Sequence, residues 1–379
     1  MAAVERVLFV LDWFPSPQTG GTETQLWLLL RQLTQRGVAI RILVLNRSEF
    51  LEKNLPSAEI VHLGITRMRS LRSLRIALRE SFRARRDGFR LAHIYFNDAA
   101  ILFPLPLKAA GLRVLVSRRD LGFWYSPRNL PWLRLNRMFV DKVVANCEAV
   151  KRVVVAQEKY LPAAVAVIYN GIESVAVTQA QVDVARAQLP VTAAQRIVLI
   201  VANARPIKRI FDLISAFAAV KPHVADAVLV MAGADHHDAH AGHLGELKKL
   251  ATDLNVGDST LFLGRVADPA ALIAGSAVCV LSSESEGLSN SLLEYARADR
   301  PIVCSAVGGN PEIVDHGRTG FTYPMGDVAA LTRELRRVLE DQALAHAVGT
   351  AAGYSITQKF SVTRLLENHL SLYDQVLRS

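Results

Sequence analysis

Cysteine is scarce in this 379-residue chain: Cys147, Cys279 and Cys304 stand far apart, with no C-x-x-C spacing. That pattern excludes a disulfide framework and a thiolate zinc site, and it fits a reducing cytoplasm. Long apolar runs are missing too. The longest candidate, Ala99 to Leu107, is broken by Pro104 and Pro106 and falls short of the ~20 residues that cross a bilayer. The expectation is a protein that is not integral to a membrane. With no basic stretch before it and an apolar run of only Val7 to Leu11, the N-terminal segment is expected to be a first strand and not a signal peptide. No internal repeat, low-complexity tract or heptad is present, which excludes solenoid and coiled-coil architectures.

What is present is a globular composition, 51% hydrophobic and 21% charged, which leaves no part of the chain too polar to fold. The length suits two domains of average size. Charge divides unevenly between them. Residues 1–170 hold 26 Lys+Arg against 13 Asp+Glu, or +13, while the remainder holds 18 against 22, or −4. Apolar runs alternate with amphipathic stretches: Arg6 to Leu11, Glu23 to Gln35, Ala39 to Leu45, then strands at Leu91 to Phe96, Arg113 to Ser117, Lys142 to Ala145 and Ala166 to Tyr169. A second series follows a polar stretch, with strands at Ile197 to Ala202, Val228 to Ala232, Thr260 to Leu263, Val278 to Leu281 and Ile302 to Ser305. The rhythm is β-α-β, and it predicts two doubly wound, Rossmann-like α/β domains in series. Ligands of such sheets bind beyond the carboxyl ends of the strands, so the loops there are the places to look for chemistry.

Three segments fall in such loops. Gly20-Gly21 precede a helix with Leu26, Leu29, Leu30 and Leu33 on one face; the pair reads either as a tight turn or as a helix start whose amides approach an anion. Arg205-Pro206-Ile207-Lys208-Arg209 follows the first strand of the second domain. It is either a solvated basic loop or a diphosphate site in which Arg binds bidentately and Lys acts as a point charge. Ser282-Ser283-Glu284-Ser285-Glu286-Gly287-Leu288-Ser289-Asn290-Ser291-Leu292-Leu293-Glu294 follows the strand Val278 to Leu281. Glu286 sits in the loop and Glu294 about two turns into the next helix. The two carboxylates can address different hydroxyl pairs of one extended ligand, with the amides of 287–293 between them for phosphate oxygens.

The run E-G-L-S-N-S-L-L-E, followed by R-P-I-V-C-S-A-V-G-G-N-P-E-I-V and G-R-T-G-F over Ser283 to Tyr323, resembles the C-terminal signature of the family 4 retaining glycosyltransferases. Gly20-Gly21, the segment from Val167 to Ile172, and Arg205 with Lys208 are similar to the same family. The resemblance implies a GT-B fold, two Rossmann-like domains facing each other across a cleft. It divides the chain into an acceptor domain at 1–170, a nucleotide-sugar donor domain at 171–355, and a final helix at 356–379 crossing back. It further implies a metal-independent transfer of sugar from a nucleotide diphosphate donor to a glycan or lipid-linked acceptor, with retention at the anomeric carbon, in cell-surface polysaccharide or glycolipid assembly. Other GT-B activities, epimerisation or phosphorolysis, and a non-catalytic sugar-nucleotide-binding subunit are the alternatives.

By position, Glu286 would meet the donor sugar's hydroxyls, Glu294 the ribose, and Arg205 and Lys208 the diphosphate, which Gly20 and Gly21 would approach from the opposite wall. Arg265 and Val266, in the loop Phe262 to Val266, would meet the base; Gly287, Leu288, Ser289, Asn290 and Leu292 complete the donor set. The chain departs from the family pattern in a shorter Arg-x-x-Lys spacing and at Val116-Ser117-Arg118-Arg119-Asp120, where many relatives carry histidine in the place of Arg119. Arginine cannot act as a base near neutral pH, so Arg119 and Asp120 are read as acceptor-side residues, with Arg119 holding a phosphate or an acidic acceptor. His93 is either a bonded structural histidine or a third acceptor-side residue. Asp235, His236, His237, Asp238, His240 and His243 read as an exposed polar run, and no metal is assigned.

One basic stretch remains. Arg67 to Arg90 holds nine arginines against Glu80 and Asp87, with Leu71, Leu74, Leu78 and Phe82 on one helical face and Arg72, Arg75, Arg79, Arg83 and Arg86 beside it. Either the leucines pack on the sheet, or the helix meets an anionic membrane surface on the cytoplasmic side. Nucleic acid is not the expected partner, since no recognition motif accompanies the charge.

Overall fold

The computed structural model describes residues 4–235 and 242–379 and resolves two compact units. Unit 1 comprises residues 1–171 together with the C-terminal segment 362–379. Its elements run β1 (Arg6–Leu11), α1 (Gly21–Gln35), β2 (Ala39–Val44), α2 (Glu49–Asn54), β3 (Glu59–His62), α3 (Leu71–Arg86), β4 (Leu91–Ile94), α4 (Asn97–Leu102), α5 (Pro104–Ala109), β5 (Arg113–Arg118), α6 (Leu130–Asn136), β6 (Lys142–Ala145), α7 (Glu148–Glu158) and β7 (Val165–Val167). The seven strands form one parallel sheet in the order β3-β2-β1-β4-β5-β6-β7. Both faces are covered, which is why the strands read as continuous apolar runs. Val7, Phe9 and Leu11 of β1 point to one face and Leu8 and Val10 to the other.

Unit 2, residues 172–361, contains α8 (Gln179–Ala187), β8 (Arg196–Val201), α9 (Ile210–Val220), β9 (Ala227–Ala232), α10 (His243–Asp253), β10 (Thr260–Gly264), α11 (Ala270–Ala274), β11 (Val278–Leu281), α12 (Asn290–Arg297), β12 (Ile302–Ser305), α13 (Asn310–Ile313), β13 (Phe321–Tyr323), α14 (Val328–Glu340) and α15 (Gln342–Lys359). Its parallel sheet has the order β10-β9-β8-β11-β12-β13. In each unit the winding reverses between the first strand and the one that begins the second half, β1 beside β4 and β8 beside β11. In sheets of this kind the strand ends at such a reversal are where ligands bind.

Two strands were not anticipated from the sequence, β3 and β13. Both are edge strands of three or four residues, Glu-Ile-Val-His and Phe-Thr-Tyr, too short and too mixed to register as apolar runs. Helix α12 begins at Asn290, so Glu294 is its fifth residue, a little over one turn in. The metal-like residues His236, His237, Asp238 and His240 lie outside the described residues; His243 bonds Glu246 at 2.7 Å.

The chain returns to unit 1 through α16 (Val362–Arg378). Leu365, Leu366, Leu372, Tyr373 and Val376 of α16 join the core face that also holds Leu26, Leu29, Leu30 and Leu33 of α1. Tyr373 carries a polar tip into that face, where its hydroxyl lies 2.7 Å from His93 Nδ1; His93 Nε2 meets Ser117 Oγ at 2.9 Å. His93 is fully buried with both ring nitrogens bonded. Burial above all, then His369 and Arg119, hold its imidazole neutral, well below the ordinary histidine range. His93 thus presents no atom to solvent and acts as a bonded histidine of the core.

Tyr373→Phe should leave a His93 nitrogen unsatisfied and cost about 1–3 kcal/mol, read as a lower urea midpoint. Tyr373→Ala should cost more, about 3–5 kcal/mol, because a cavity is added. Unchanged midpoints for both variants would refute this account of how α16 is held.

Candidate active site

The site residues of unit 2 gather at the C-terminal edge of its sheet, where β8 and β11 run side by side. After β8 the chain passes Arg205 and a single helical turn at Pro206–Lys208 before α9. After β11 it passes Ser282 to Ser289 and enters α12. These loops are tied by backbone and hydroxyl groups: Glu284 N–H donates to Ile207 O at 2.8 Å, Ser282 Oγ to Lys208 O at 2.7 Å and Ser291 Oγ to Val201 O at 3.1 Å. The buried Tyr295 adds a crosslink, its hydroxyl accepting the Val201 N–H at 2.8 Å.

The outcome is that Lys208 Nζ lies 2.6 Å from Glu286 Oε1, both side chains partly buried. Two residues predicted from separate motifs 78 positions apart therefore meet. A charge-assisted bond of this length fixes both groups. Arg209 is committed elsewhere, donating to Asp212 Oδ2 at 2.6 Å, while Arg205 is partly buried in the same loop.

A third loop, after β12, was not singled out from the sequence as a site element. Gly308 (φ 53°) passes so close that a Cβ would stand 1.7 Å from Glu286 O. The next amide, Gly309 N–H, donates to Gly287 O at 2.8 Å. Only glycine fits there, for reasons of space as well as of left-handed backbone. The G-G-N-P-E run carried that signal.

The amide cradle expected between the two glutamates is partly occupied. Ser289 caps α12, its Oγ accepting from Leu292 N–H at 3.4 Å, and its carbonyl accepts the Leu293 N–H at 3.4 Å. Leu288 and Ser289 are buried, whereas Gly287 and Asn290 are partly exposed. At the end of β10, the stretch expected as a loop is strand through Gly264; Arg265 beyond it is exposed and Val266 partly so. Asp268, from the same loop, contributes negative charge at Glu294.

The Glu294 carboxyl is pushed up to about 7, first by burial and also by Asp268, against the opposing charge of Arg297.

In unit 1 the corresponding edge lies at the ends of β1, β4, β5 and β7. Asp12 follows β1 and accepts the N–H groups of Asn97, Asp98 and Ala99 at 3.0, 2.9 and 2.6 Å, closing the start of α4. Burial lifts its carboxyl to about 6 despite those bonds. Gly20 is the N-cap of α1 in extended conformation and Gly21 its first residue. A Cβ on Gly20 would meet Glu23 Oε2 at 2.6 Å. Gln25 exchanges two 2.9 Å bonds with the Gly171 backbone. Arg119 bonds Asn170 Oδ1, and its carbonyl accepts from Asn146 Nδ2 at 3.2 Å. Gly20, Gly21, Glu23, Arg119 and Asn170 are thereby brought together. Glu23, its carboxyl raised by burial, feels the Arg119 charge.

Asp120 turns to the Gly122 N–H at 2.7 Å and is likewise raised by burial. Neighbouring Arg118 points the other way, into a buried pair with Glu158 at 2.6 Å.

Between pH 4.5, the ordinary glutamate value, and about 7, the folded chain keeps a proton at Glu294 that the unfolded chain has lost. The stability this group contributes is full below the lower value and is lost as pH rises through the upper one. Glu294→Gln should therefore raise the denaturation midpoint near pH 8 and leave it unchanged near pH 4. Equal effects at both pH values would dismiss the linkage.

Known proteins match along most of the chain. Residues 181–353 match the family described as Glycosyl transferases group 1, and residues 19–174 match Glycosyltransferase Family 4. The N-acetyl-alpha-D-glucosaminyl L-malate synthase of Bacillus anthracis is 28% identical over 211 residues, 56% of this chain and 54% of that protein. The chain spans about half the length of the curated relatives it matches first. Among solved structures, Anabaena Alr3699/HepE in complex with UDP superposes with a TM-score of 0.86 at 21% identity, covering 98% of this chain and 100% of the other. WaaG, a glycosyltransferase involved in lipopolysaccharide biosynthesis, gives 0.73 at 15% identity over 97% and 99%. With two parallel-sheet units, this fold likeness and family matches that together cover 19–174 and 181–353, the chain belongs to the family 4 glycosyltransferases of GT-B fold.

Proposed function

We propose that the protein transfers a sugar from a nucleotide-diphosphate sugar to a glycan or lipid-linked acceptor, with retention at the anomeric carbon. The observation that carries this reading is the Lys208–Glu286 contact of 2.6 Å at the point where the unit 2 sheet reverses, with Glu294 on the helix that follows. Support also comes from the UDP bound in the Anabaena structure and from the role in lipopolysaccharide biosynthesis given for WaaG. The assembly of cell-surface polysaccharide or glycolipid on the cytoplasmic side is the setting we infer.

In this reading the bond from the anomeric carbon to the diphosphate oxygen breaks while one to the acceptor hydroxyl oxygen forms on the same face. The acceptor proton leaves on the departing phosphate. Charge grows on the diphosphate as the bond breaks, and Lys208 and Arg205, already in place, stabilise it without reorganisation. Lys208 exchanges its bond to Glu286 for one to phosphate, freeing the Glu286 carboxylate to accept from the donor sugar's hydroxyls. Glu294 accepts from the ribose, in a manner that strengthens as its proton is lost near pH 7. The fixed cations supply the charge that a metal ion would otherwise bring, so chelators should leave turnover unchanged. On the acceptor side, Arg119 faces an anionic group, a reading to which the L-malate in the Bacillus anthracis relative's name lends support.

A thermal-shift screen over nucleoside diphosphates and their sugars identifies the donor, because ligand binding raises stability by mass action. With that donor, Glu286→Ala should lower turnover by at least about a hundredfold, the scale of losing one transition-state contact, with the fold intact by circular dichroism. Full turnover in that variant would refute the assignment of Glu286. Donor binding without transfer or hydrolysis in the native chain would identify a sugar-nucleotide-binding subunit instead.

A further inference from the structure

Helix α3 is oriented against the usual rule. Its buried residues are Ser73, Ala77, Glu80, Ser81 and Ala84. The long apolar side chains, Leu71, Leu74, Leu78 and Phe82, form a separate stripe at helical spacing. Leu71 is 74% exposed and Phe82 50%, with Leu74 and Leu78 only partly covered. Of the two arrangements open from the sequence, the one with leucines packed on the sheet is not found: small residues seat the helix and the apolar stripe faces outward. Beside the stripe stand Arg72, Arg75, Arg79 and Arg86, all exposed; among the described residues, Arg72, Arg75 and Arg86 form no ion pair.

The same surface continues past the start of α3. Arg69 lies 5.4 Å over the Trp132 ring and donates to Arg128 O at 2.9 Å, joining the segment before α3 to α6. There Trp132, Leu135 and Met138 are exposed, Met138 to 70%. Helix α5, packed against α3, adds exposed Leu105.

We propose that this face of unit 1 docks into the interfacial layer of an anionic lipid bilayer. A solvated domain helix would hide its leucines and expose its arginines; here both are exposed side by side. That combination suits the headgroup boundary, where Leu, Phe and Trp enter the acyl edge and arginine stems reach back to phosphates. The charge fits one kind of surface, since residues 1–170 carry +13 while the rest of the chain carries −4. The contact is superficial, because no helix among the described residues is long and apolar enough to cross a membrane. The inference deepens the acceptor reading above, as a lipid-linked acceptor lies at such a boundary. Its test uses neither donor nor acceptor, so each can fail alone.

The experiment is cosedimentation of the full chain with phosphatidylcholine vesicles, with and without phosphatidylglycerol, at low and high salt. Binding is expected to the anionic vesicles only and to weaken with salt. The pair Leu71→Glu with Phe82→Glu, and separately Arg72→Glu with Arg75→Glu, should each weaken it by about tenfold or more. Tyr354→Glu, at a 71% exposed position on α15, should change nothing. Circular dichroism and the thermal midpoint verify that every variant folds. Equal binding to neutral vesicles, or full binding by the Leu71/Phe82 variant, would overturn the proposal. So would an oligomer in sedimentation velocity that this variant dissolves while native protein ignores lipid, since the face would then belong to a second copy of the chain.

Discussion

Three loops of unit 2 share one set of backbone contacts, and the geometry of the site follows from it. The loop after β11 is held on one side by Ile207 O, which takes the Glu284 N–H, and on the other by Gly309 N–H, which donates to Gly287 O. Gly308 closes this arrangement at a distance that no side chain tolerates. Glu286 lies between these fixed points, so its backbone is positioned before any ligand arrives, and Lys208 can meet it at 2.6 Å. Preorganisation of this kind lets charged groups act on a developing charge without first reorienting. The sheet makes it available, since β8, β11 and β12 are consecutive neighbours and deliver their loops to one edge.

The sequence made the local chemistry readable and left the long-range contacts unread, for a physical reason. Glu286, Glu294 and the cations before α9 lie just after strong apolar runs, and a strand followed by a polar turn announces its own C-terminal edge. Both parallel sheets were legible from the same rhythm. His93 was legible only as a strand-end histidine, because what buries it is Tyr373, 280 residues away. Gly308 stood within a recognisable run, yet its reason is a carbonyl oxygen on another loop. The stripe on α3 was legible as a stripe but not as to its direction. Periodicity gives the angular spread of the apolar residues, whereas the small face of Ser73, Ala77, Ser81 and Ala84 decides which side can approach the sheet.

Unit 2 accepts a local electrostatic cost at the same edge. A carboxyl raised to about 7 is one that burial has deprived of water without a full set of compensating bonds. Other charges are matched: Arg118 with Glu158 in a buried pair at 2.6 Å, and the half-exposed Lys108 and Arg113 with Asp141 at 2.7 and 3.1 Å. The difference is one of purpose. A pair such as Arg118–Glu158 is closed, because the two are spent on each other and Glu158 also accepts from the neighbouring Tyr125 hydroxyl. Glu294 is open, held at a disadvantage that hydroxyl donors from a ligand would remove. Lys208 and Glu286 stand between these cases: matched at rest, but only partly buried, so each can exchange its partner for one of similar charge or hydrogen-bonding capacity at small cost. In the function proposed above, a ligand offering phosphate at one end and hydroxyls at the other would supply partners for all three groups together.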